Sequence, residues 1–335
     1  MSAAAGAVPG TRAAPGELIA AWARRNAWTL GLFAVLIGML VFTKLIQPNY
    51  GAAQIQGLAI GMLPVALAAI AQAVVVISGG IDLSVASMMA LTSVTAAVLM
   101  EGRGEGFAVF VVLAILLLGL LLGAINGSLI VVTRVPDIVV TLAMSFVWAG
   151  ATLLVLDSPG GGAAAWFIGL VNGSLGSPWL PRAFLVLVAI VVVVWIPLRR
   201  SMLGLSMYAL GSSQLAAFRS GVPVGRTKIA AYAVTGLFCA LGGLAVIAST
   251  SGSASPVPGP YTLQSVAAIV LGGVSLAGGR GGVVGPIVAV AILQLVRTDL
   301  TLLGVNPNLA TAVQGVILIG VVLVGSVITM RRNRP

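Results

Sequence analysis

The sequence predicts an all-α protein that crosses a membrane many times, and three observations support this. Of its 335 residues, 59% are hydrophobic and only 7% are charged, whereas an ordinary soluble domain carries about 25% charged residues. The mean hydropathy is +1.16. The apolar residues form long unbroken runs, without the polar–apolar alternation of barrel strands, so the spanning elements are helices. This composition excludes a soluble enzyme.

Ten apolar runs follow one another, and a spanning helix needs about 20 such residues. They predict one membrane domain over residues 27–330, between a cytoplasmic N-terminal tail, 1–26, and a cytoplasmic C-terminal tail, 331–335. The first run has full spanning length, so we interpret it as an uncleaved helix and not as a secretory signal. The predicted spans cover residues 27–46, 57–77, 84–100, 107–132, 136–156, 182–198, 227–249, 263–277, 283–303 and 308–329.

Several kinds of chemistry are excluded by the residues that the sequence lacks. It has no His and a single Cys, Cys239, so it predicts no metal site and no intrachain disulfide. Its two lysines, Lys44 and Lys228, do not follow glycine, so the sequence has no Walker A loop for ATP. The Gly-rich stretch 278–285 is interpreted as a tight turn and not as a phosphate cradle. We expect no cofactor to be bound by this chain.

The net charge of +10 reports orientation and does not indicate a nucleic-acid partner. If the N-terminus is inside, most of the 17 basic residues fall on the inner side of the ten spans, as the positive-inside rule requires. Only Lys44, Arg103, Arg182 and Arg297 fall outside. Both termini are therefore predicted to be cytoplasmic. The inner set is Arg12, Arg24, Arg25, Arg134, Arg199, Arg200, Arg219, Arg226, Lys228, Arg280, Arg331, Arg332 and Arg334.

Two connections between spans carry their own signals. The inner loop, about 199–226, contains a run, 214–220, long enough for two helical turns and ended by Gly221 and Pro223. This pattern fits either a docking helix on the cytoplasmic face or an ordinary solvated connection. The outer stretch 158–181 is rich in Gly, Ser and Pro and contains two tryptophans, so it predicts an interfacial half-helix.

Residues 76–83 resemble residues 270–276, and each stretch ends one apolar segment and precedes another. An internal repeat of the kind found in transporters is one interpretation, and chance similarity between Gly-rich turns is the other. If the repeats are inverted, one segment between them must be re-entrant.

Polar side chains within or beside the spans are the candidate functional residues. Asp82 is expected to cap the helix that follows it, and a role in transport is compatible with that cap. Glycines at 119, 123 and 127 predict close helix packing beside Asn126. Asp137 and Asp299 receive no role in proton relay. The remaining polar groups suit either a neutral, hydroxyl-rich solute or interhelical hydrogen bonds, and they are Gln72, Ser84, Thr141, Ser145, Gln264, Ser265 and Gln294.

Over residues 55–325 the sequence resembles the permease subunits of ribose-type ABC sugar importers, which include xylose, galactose and autoinducer-2 permeases. Three stretches carry the resemblance: Gly-Gly-Ile-Asp-Leu-Ser-Val at 79–85, Ala-Ala-Phe-Arg-Ser-Gly-Val at 216–222, and the Gly-rich stretch 267–281. Two residues depart from the family pattern. Ala86 stands where a glycine is usual, and Leu215 stands where an acidic residue often precedes the two alanines.

The resemblance implies an ABC importer permease fold that moves a neutral sugar-like solute from periplasm to cytoplasm across the bacterial inner membrane. Its implied partners are a cytoplasmic ATPase subunit that holds ATP and Mg, a second permease, identical or paralogous, and a periplasmic sugar-binding protein. Branched-chain amino acid or nucleoside import, or ion-coupled secondary transport, are the alternatives. The implied ATPase-coupling residues are Ser213, Gln214, Ala216, Ala217, Arg219, Ser220 and Gly221. The residues of the candidate solute pathway are Gln72, Asp82, Ser84, Asn126, Thr141 and Gln264. The motif glycines are Gly79, Gly80, Gly272, Gly273, Gly278 and Gly279.

Overall fold

The computed structural model describes residues 26–306 and the isolated positions 309, 312, 313, 315, 316 and 320. The predicted tails and the tenth predicted span, 308–329, lie wholly or largely outside these residues. Within them the chain is helical apart from one short hairpin, which confirms the predicted class. The helices are α1 Ala27–Ile46, α2 Ala52–Ile77, α3 Val85–Met100, α4 Phe107–Thr133, α5 Asp137–Val155, α6 Ala165–Val171, α7 Arg182–Arg200, α8 Met202–Ser212, α9 Gln214–Arg219, α10 Val224–Ser249, α11 Tyr261–Leu271 and α12 Val284–Leu302.

Seven of the described helices are long and apolar enough to cross a membrane, namely α1, α2, α4, α5, α7, α10 and α12. Helix α7 widens to a π-helical turn at Val191–Trp195. Two of the predicted spans, 84–100 and 263–277, correspond to the shorter apolar helices α3 and α11. Helix α3 has 16 residues and α11 has 11, which at about 1.5 Å per residue is less than the roughly 30 Å of a bilayer's hydrocarbon.

The crossing that contains α11 is made partly by extended chain. Ala254 pairs with Gly160 at one end of the bundle, whereas Thr262, at the start of α11, contacts the backbone of Leu83 and Ala86 inside it. Residues 255–260 therefore enter the bundle without helical structure, and α11 continues the crossing. Non-helical backbone at membrane depth is tolerated where it lines a cavity, and Ser255, Val257 and Gly259 of this segment line one.

Helix α2 occupies the centre of the bundle, and α10 packs against α2, α3 and α4. The glycines of α4 permit this packing, as predicted. A Cβ atom at Gly123 would clash with the backbone of Tyr232, and one at Gly236 would lie 2.9 Å from the backbone nitrogen of Gly123. The two helix backbones thus meet directly, as small residues allow in membrane bundles.

The stretch 158–181 forms the predicted short helix, α6, followed by a hairpin of β1 Ser174–Leu175 and β2 Ser177–Pro181. The Trp166 indole donates to the backbone oxygen of Glu105 at 2.9 Å, and the Arg182 guanidinium donates to the backbone oxygens of Ser174 and Gly169. These bonds fasten the segment to the helix ends beneath it.

The ends of the bundle differ in charge. We define the basic end as the end where α2, α4 and α7 finish and α3, α5, α10 and α12 begin. Among the described residues, its exposed or half-buried charges are Arg134, Asp137, Arg199, Arg200, Arg219, Arg226, Lys228 and Arg280. The opposite end carries balanced charges, namely Lys44, Glu101, Arg103, Glu105, Asp157, Arg182, Arg297 and Asp299.

Candidate functional site

A broken-helix turn at the basic end joins α2 to α3 and forms the centre of the candidate site. Helix α2 stops because Gly79 adopts a left-handed conformation, with φ of 85°, and the Gly80 N–H donates to the backbone oxygen of Val75 at 3.0 Å. This is the Schellman end that glycine favours. A Cβ atom at Gly80 would lie 2.7 Å from both the Asp137 carboxylate and the Tyr232 hydroxyl, so the turn has no room for a larger residue.

Asp82 is fully buried in this turn and is the acceptor at the head of a hydrogen-bonded chain. Its Oδ1 accepts from the Ser84 backbone N–H at 2.8 Å and from the Ser84 hydroxyl at 2.6 Å. Asn126 Nδ2 donates to Ser84 Oγ at 2.8 Å, and the Trp148 indole donates to Asn126 Oδ1 at 3.3 Å. The chain links the turn to α4 and α5. Asp82 Oδ2 has no hydrogen-bond partner within the described residues.

An ion pair anchors the same turn from α5 and α10. Lys228 Nζ lies 2.7 Å from Asp137 Oδ1, and the two side chains are 21% and 16% exposed. The Tyr232 hydroxyl donates to Asp137 Oδ2 at 2.9 Å and lies 3.3 Å from the Ile81 backbone oxygen. Asp137 neutralises Lys228, and Tyr232 bonds to both Asp137 and the turn. The ion pair therefore positions the backbone of the turn. No relay role was predicted for Asp137, and its pairing was not foreseen.

Two threonines hold the rest of the turn. Thr141 Oγ1 accepts from the Leu83 N–H at 3.1 Å and donates to the Asp137 backbone oxygen at 2.9 Å. Thr262 Oγ1, at the start of α11, accepts from the Ala86 N–H at 3.0 Å. The backbone that follows Asp82 is therefore fixed by side chains from α5 and α11.

The second Gly-rich stretch repeats the geometry of the first. Gly273 has φ of 80°, and the Val274 N–H donates to the Ile269 backbone oxygen at 2.9 Å, as Gly80 does to Val75. The two similar stretches thus end their helices in the same way, a glycine end that many helices share, so the internal repeat stays a prediction. Gly272 packs against the start of α12, where a Cβ atom would lie 2.5 Å from the Pro286 ring.

The turn after α2 and the loop that follows α11 meet at Gly211, near the end of α8, and we call this contact the glycine junction. A Cβ atom on Gly211 would lie 2.6 Å from the Gly279 nitrogen and closer still to the Ile77 backbone oxygen. The Gly279 N–H donates to the Ile77 oxygen at 2.9 Å. At Gly278, a Cβ atom would be 3.1 Å from the Cα atoms of both Gly79 and Gly211. Three chain segments therefore pack backbone against backbone.

Helix α9 continues directly from this junction. Ser213 ends α8 and caps α9, where its hydroxyl accepts from the Ala216 N–H at 3.3 Å. Gly221 adopts φ of 82°, and the Val222 N–H closes the helix on the Ala217 oxygen at 3.0 Å. The segment 214–220, predicted as two helical turns, is thus a short capped helix. Apart from buried Ala217 its side chains are exposed, including Leu215 and Phe218.

Two of the predicted pathway residues lie apart from the network around Asp82. Gln72 is buried in α2, and its Oε1 has no partner within the described residues. Gln264 is half-buried in α11. The structure brings Asp82, Ser84, Asn126 and Thr141 together. The residues that sequence reasoning missed are Trp148, Lys228, Tyr232, Thr262 and Gly211. The one available signal was that Trp148, Tyr232 and Thr262 are polar aromatic or hydroxyl residues inside or beside apolar spans.

Known proteins were compared with this chain. Residues 55–322 match the family described as the permease component of the branched-chain amino acid transport system. The chain belongs to this permease family. The autoinducer 2 import system permease protein LsrD of Escherichia coli O157:H7 is 30% identical over 325 residues, covering 92% of this chain and 95% of that protein, and the LsrD of Shigella flexneri has the same identity and coverage. No solved structure matches.

This permease is a multi-pass membrane protein and one component of a transport system. The family and the LsrD relatives support the resemblance to sugar-type ABC importer permeases. Among the described residues no cluster of His, Cys, Asp and Glu is arranged to hold a metal ion. The chemistry that the site residues offer is hydrogen bonding and one ion pair, which position backbone.

Proposed function

We propose that this permease moves a neutral sugar or sugar-like solute inward, driven by ATP hydrolysis on a separate subunit. The relatives are named for import of autoinducer 2. The charged groups of the central site also favour a neutral solute. Lys228 and Asp137 neutralise each other at 2.7 Å, so they offer no free pair of charges to an amino acid zwitterion.

The observation that carries the coupling part of the proposal is the glycine junction. Helix α9 exposes Leu215 and Phe218, which are apolar groups suited to a groove on a partner protein. A displacement of α9 would be transmitted through Ser213 to Gly211, because no flexible loop separates them. At Gly211 it meets the backbone of the turn after α2 and of the loop at Gly278 and Gly279, which transmits displacement because packed contacts deform little. The expected partner is an ATPase that binds ATP and Mg.

The charge distribution supports an orientation with the basic end in the cytoplasm. Charges at that end are mostly positive, whereas the opposite end is balanced, and basic residues favour the cytoplasmic side. This orientation places α9 where a cytoplasmic ATPase binds and places α6 and the hairpin in the periplasm. The complete importer would contain a second permease, identical or paralogous, and a periplasmic binding protein in a bacterial inner membrane.

The turn around Asp82 serves this mechanism as a preorganised hinge. Asp82 accepts the N–H of Ser84, the residue before α3, and Ser84 makes no side-chain cap bond, so the prediction that Asp82 caps the helix is wrong. Broken helices of this kind lie beside substrate sites in transporters. Alternating access would move this turn and the loop at Gly278 and Gly279 together, because both contact Gly211 in the glycine junction.

The docking part is tested by cross-linking in the assembled complex. Ser213→Cys and Gly221→Cys place thiols at the two ends of α9, while the native Cys239 is fully buried. A thiol-specific bifunctional reagent should join each variant to the ATPase and leave the parent chain unlinked. If neither variant is linked in a complex that hydrolyses ATP, the docking assignment is wrong.

The substrate class is tested by uptake into proteoliposomes that contain the complete importer, with D-ribose, D-xylose, D-galactose and autoinducer 2 as labelled solutes. The proposal expects accumulation of at least one of them and no accumulation of leucine. Import of leucine alone would overturn the sugar assignment.

A further inference from the structure

We propose that each copy of this permease contains its own solute-binding cavity, between α3, α10 and the extended segment 255–260. This inference rests on the proposed function and adds a binding site to it. The cavity has a volume of about 420 Å³, within the range of roughly 300–1,000 Å³ that is usual for small-molecule sites. Ser253 and Ser255, both exposed, lie at its mouth towards the end opposite the basic end, and buried Met89 and Ser93 lie at its floor.

Ser93 shows that the cavity is built for a polar ligand. It lines the cavity and is 1% exposed, yet its hydroxyl has no hydrogen-bond partner among the described residues. A buried hydroxyl without a partner costs free energy, and a ligand hydroxyl removes that cost. Thr92 and Thr95, on the same helix, satisfy their hydroxyls on backbone oxygens of α3. The free hydroxyl is thus specific to the position that faces the cavity.

The rest of the lining selects the class of ligand. None of the lining residues is charged, which disfavours an ionic solute. Tyr261 offers an aromatic ring, and within the described residues its hydroxyl makes no hydrogen bond. Methionine, alanine and valine side chains supply the remaining apolar surface. Hydroxyls together with an aromatic ring and apolar walls suit a neutral sugar, which has both hydroxyl groups and C–H faces. A lipid chain would leave Ser93 unpaired.

The position of the cavity connects it to the broken-helix turn. Tyr261 lines the cavity, and the next residue, Thr262, holds the Ala86 N–H at 3.0 Å and lies 3.4 Å from the Leu83 oxygen. The start of α11 is therefore both the inner wall of the cavity and a support of the turn around Asp82. A solute in the cavity would lie next to the segment that the glycine junction is proposed to move.

Uptake by Ser93→Ala tests the site in the complete importer, with Thr95→Val as the matched control on the same helix. Loss of one hydrogen bond to the solute should raise the half-saturating concentration for import about two- to tenfold. The variant should fold normally, because it removes a hydroxyl that has no partner in the protein. Thr95→Val should leave the half-saturating concentration unchanged, and ATP hydrolysis without solute should not change in either variant.

Thiol labelling gives a second, independent readout. In Ser255→Cys, at the exposed mouth of the cavity, a small neutral methanethiosulfonate added from the periplasmic side should label the protein, and the imported sugar should slow that labelling. The parent chain, whose single Cys239 is buried, should remain unlabelled. An unchanged half-saturating concentration in Ser93→Ala, or labelling of Ser255→Cys that the sugar does not slow, overturns the cavity assignment alone. A wild-type importer that takes up none of the four sugars overturns the proposed function and this site with it.

Discussion

Gly211→Ala is the substitution that most directly tests the glycine junction. The added methyl group would lie 2.6 Å from the Gly279 nitrogen, where ordinary contacts begin at 3.4 Å, and it would overlap the Ile77 oxygen more severely. The backbones must therefore separate by at least about 0.8 Å. Both obstructing atoms are main-chain atoms, so no side-chain rotation relieves the overlap.

The expected cost has two parts. Overpacking in a tight interior costs about 1–3 kcal/mol. Separation also weakens the bond from the Gly279 N–H to the Ile77 oxygen, 2.9 Å long, and a hydrogen bond of this kind contributes about 1 kcal/mol. We expect Gly211→Ala to lower the free energy of unfolding by about 2–4 kcal/mol. In the assembled importer, uptake should fall more than ATP hydrolysis, because the joint between α9 and the turns is displaced.

The assay is thermal unfolding of the purified permease, followed by uptake and ATP hydrolysis in proteoliposomes. Gly38→Ala in α1 is the matched control, since no atom of the described chain lies within 4 Å of its added methyl group. That variant should be as stable as wild type or slightly more stable, because alanine favours helix. If Gly211→Ala unfolds and transports like Gly38→Ala, the reasoning about the junction is refuted.

Three further predictions concern the central site. In a double-mutant cycle with Asp137→Asn and Lys228→Gln, thermal unfolding should show a coupling of about 1–3 kcal/mol, since the pair is only partly exposed; additive effects would show that the ion pair is energetically idle. Ser84→Ala should destabilise by about 1–3 kcal/mol, because it removes the acceptor of buried Asn126 Nδ2 and one of the two bonds to Asp82 Oδ1, whereas Ser145→Ala should change stability little; equal unfolding curves would contradict the network. Cys239 should react with an aqueous thiol reagent only on unfolding, because it is buried, so rapid reaction of the folded protein would contradict the packing of α10.

Hydropathy predicted the long helices because a membrane helix needs only a continuous local run of apolar residues. It also located α3, which begins one residue after the predicted start, but it extended α11 past Gly273, where the helix has already ended. A hydropathy average smooths over such turns, so the segment 255–260 was not recognised as part of a crossing.

The site was predicted where its signals were local and missed where they depended on tertiary contacts. Asp82 stands out in an apolar sequence, and its hydrogen bonds with Ser84 involve neighbours in the chain. Asp137 and Lys228 are 91 residues apart, and their pairing depends on how α5 and α10 are rotated. Gly211 resembles many other glycines of the chain, and only the packing of three backbones distinguishes it.

The most direct test of the central claim is uptake by the complete importer in proteoliposomes, compared between an active ATPase subunit and one whose ATP hydrolysis is abolished. The account predicts that the solute accumulates only with the active ATPase, in the presence of ATP and Mg, and that proton or sodium gradients do not replace hydrolysis. Accumulation driven by an ion gradient with the inactive ATPase would contradict the account.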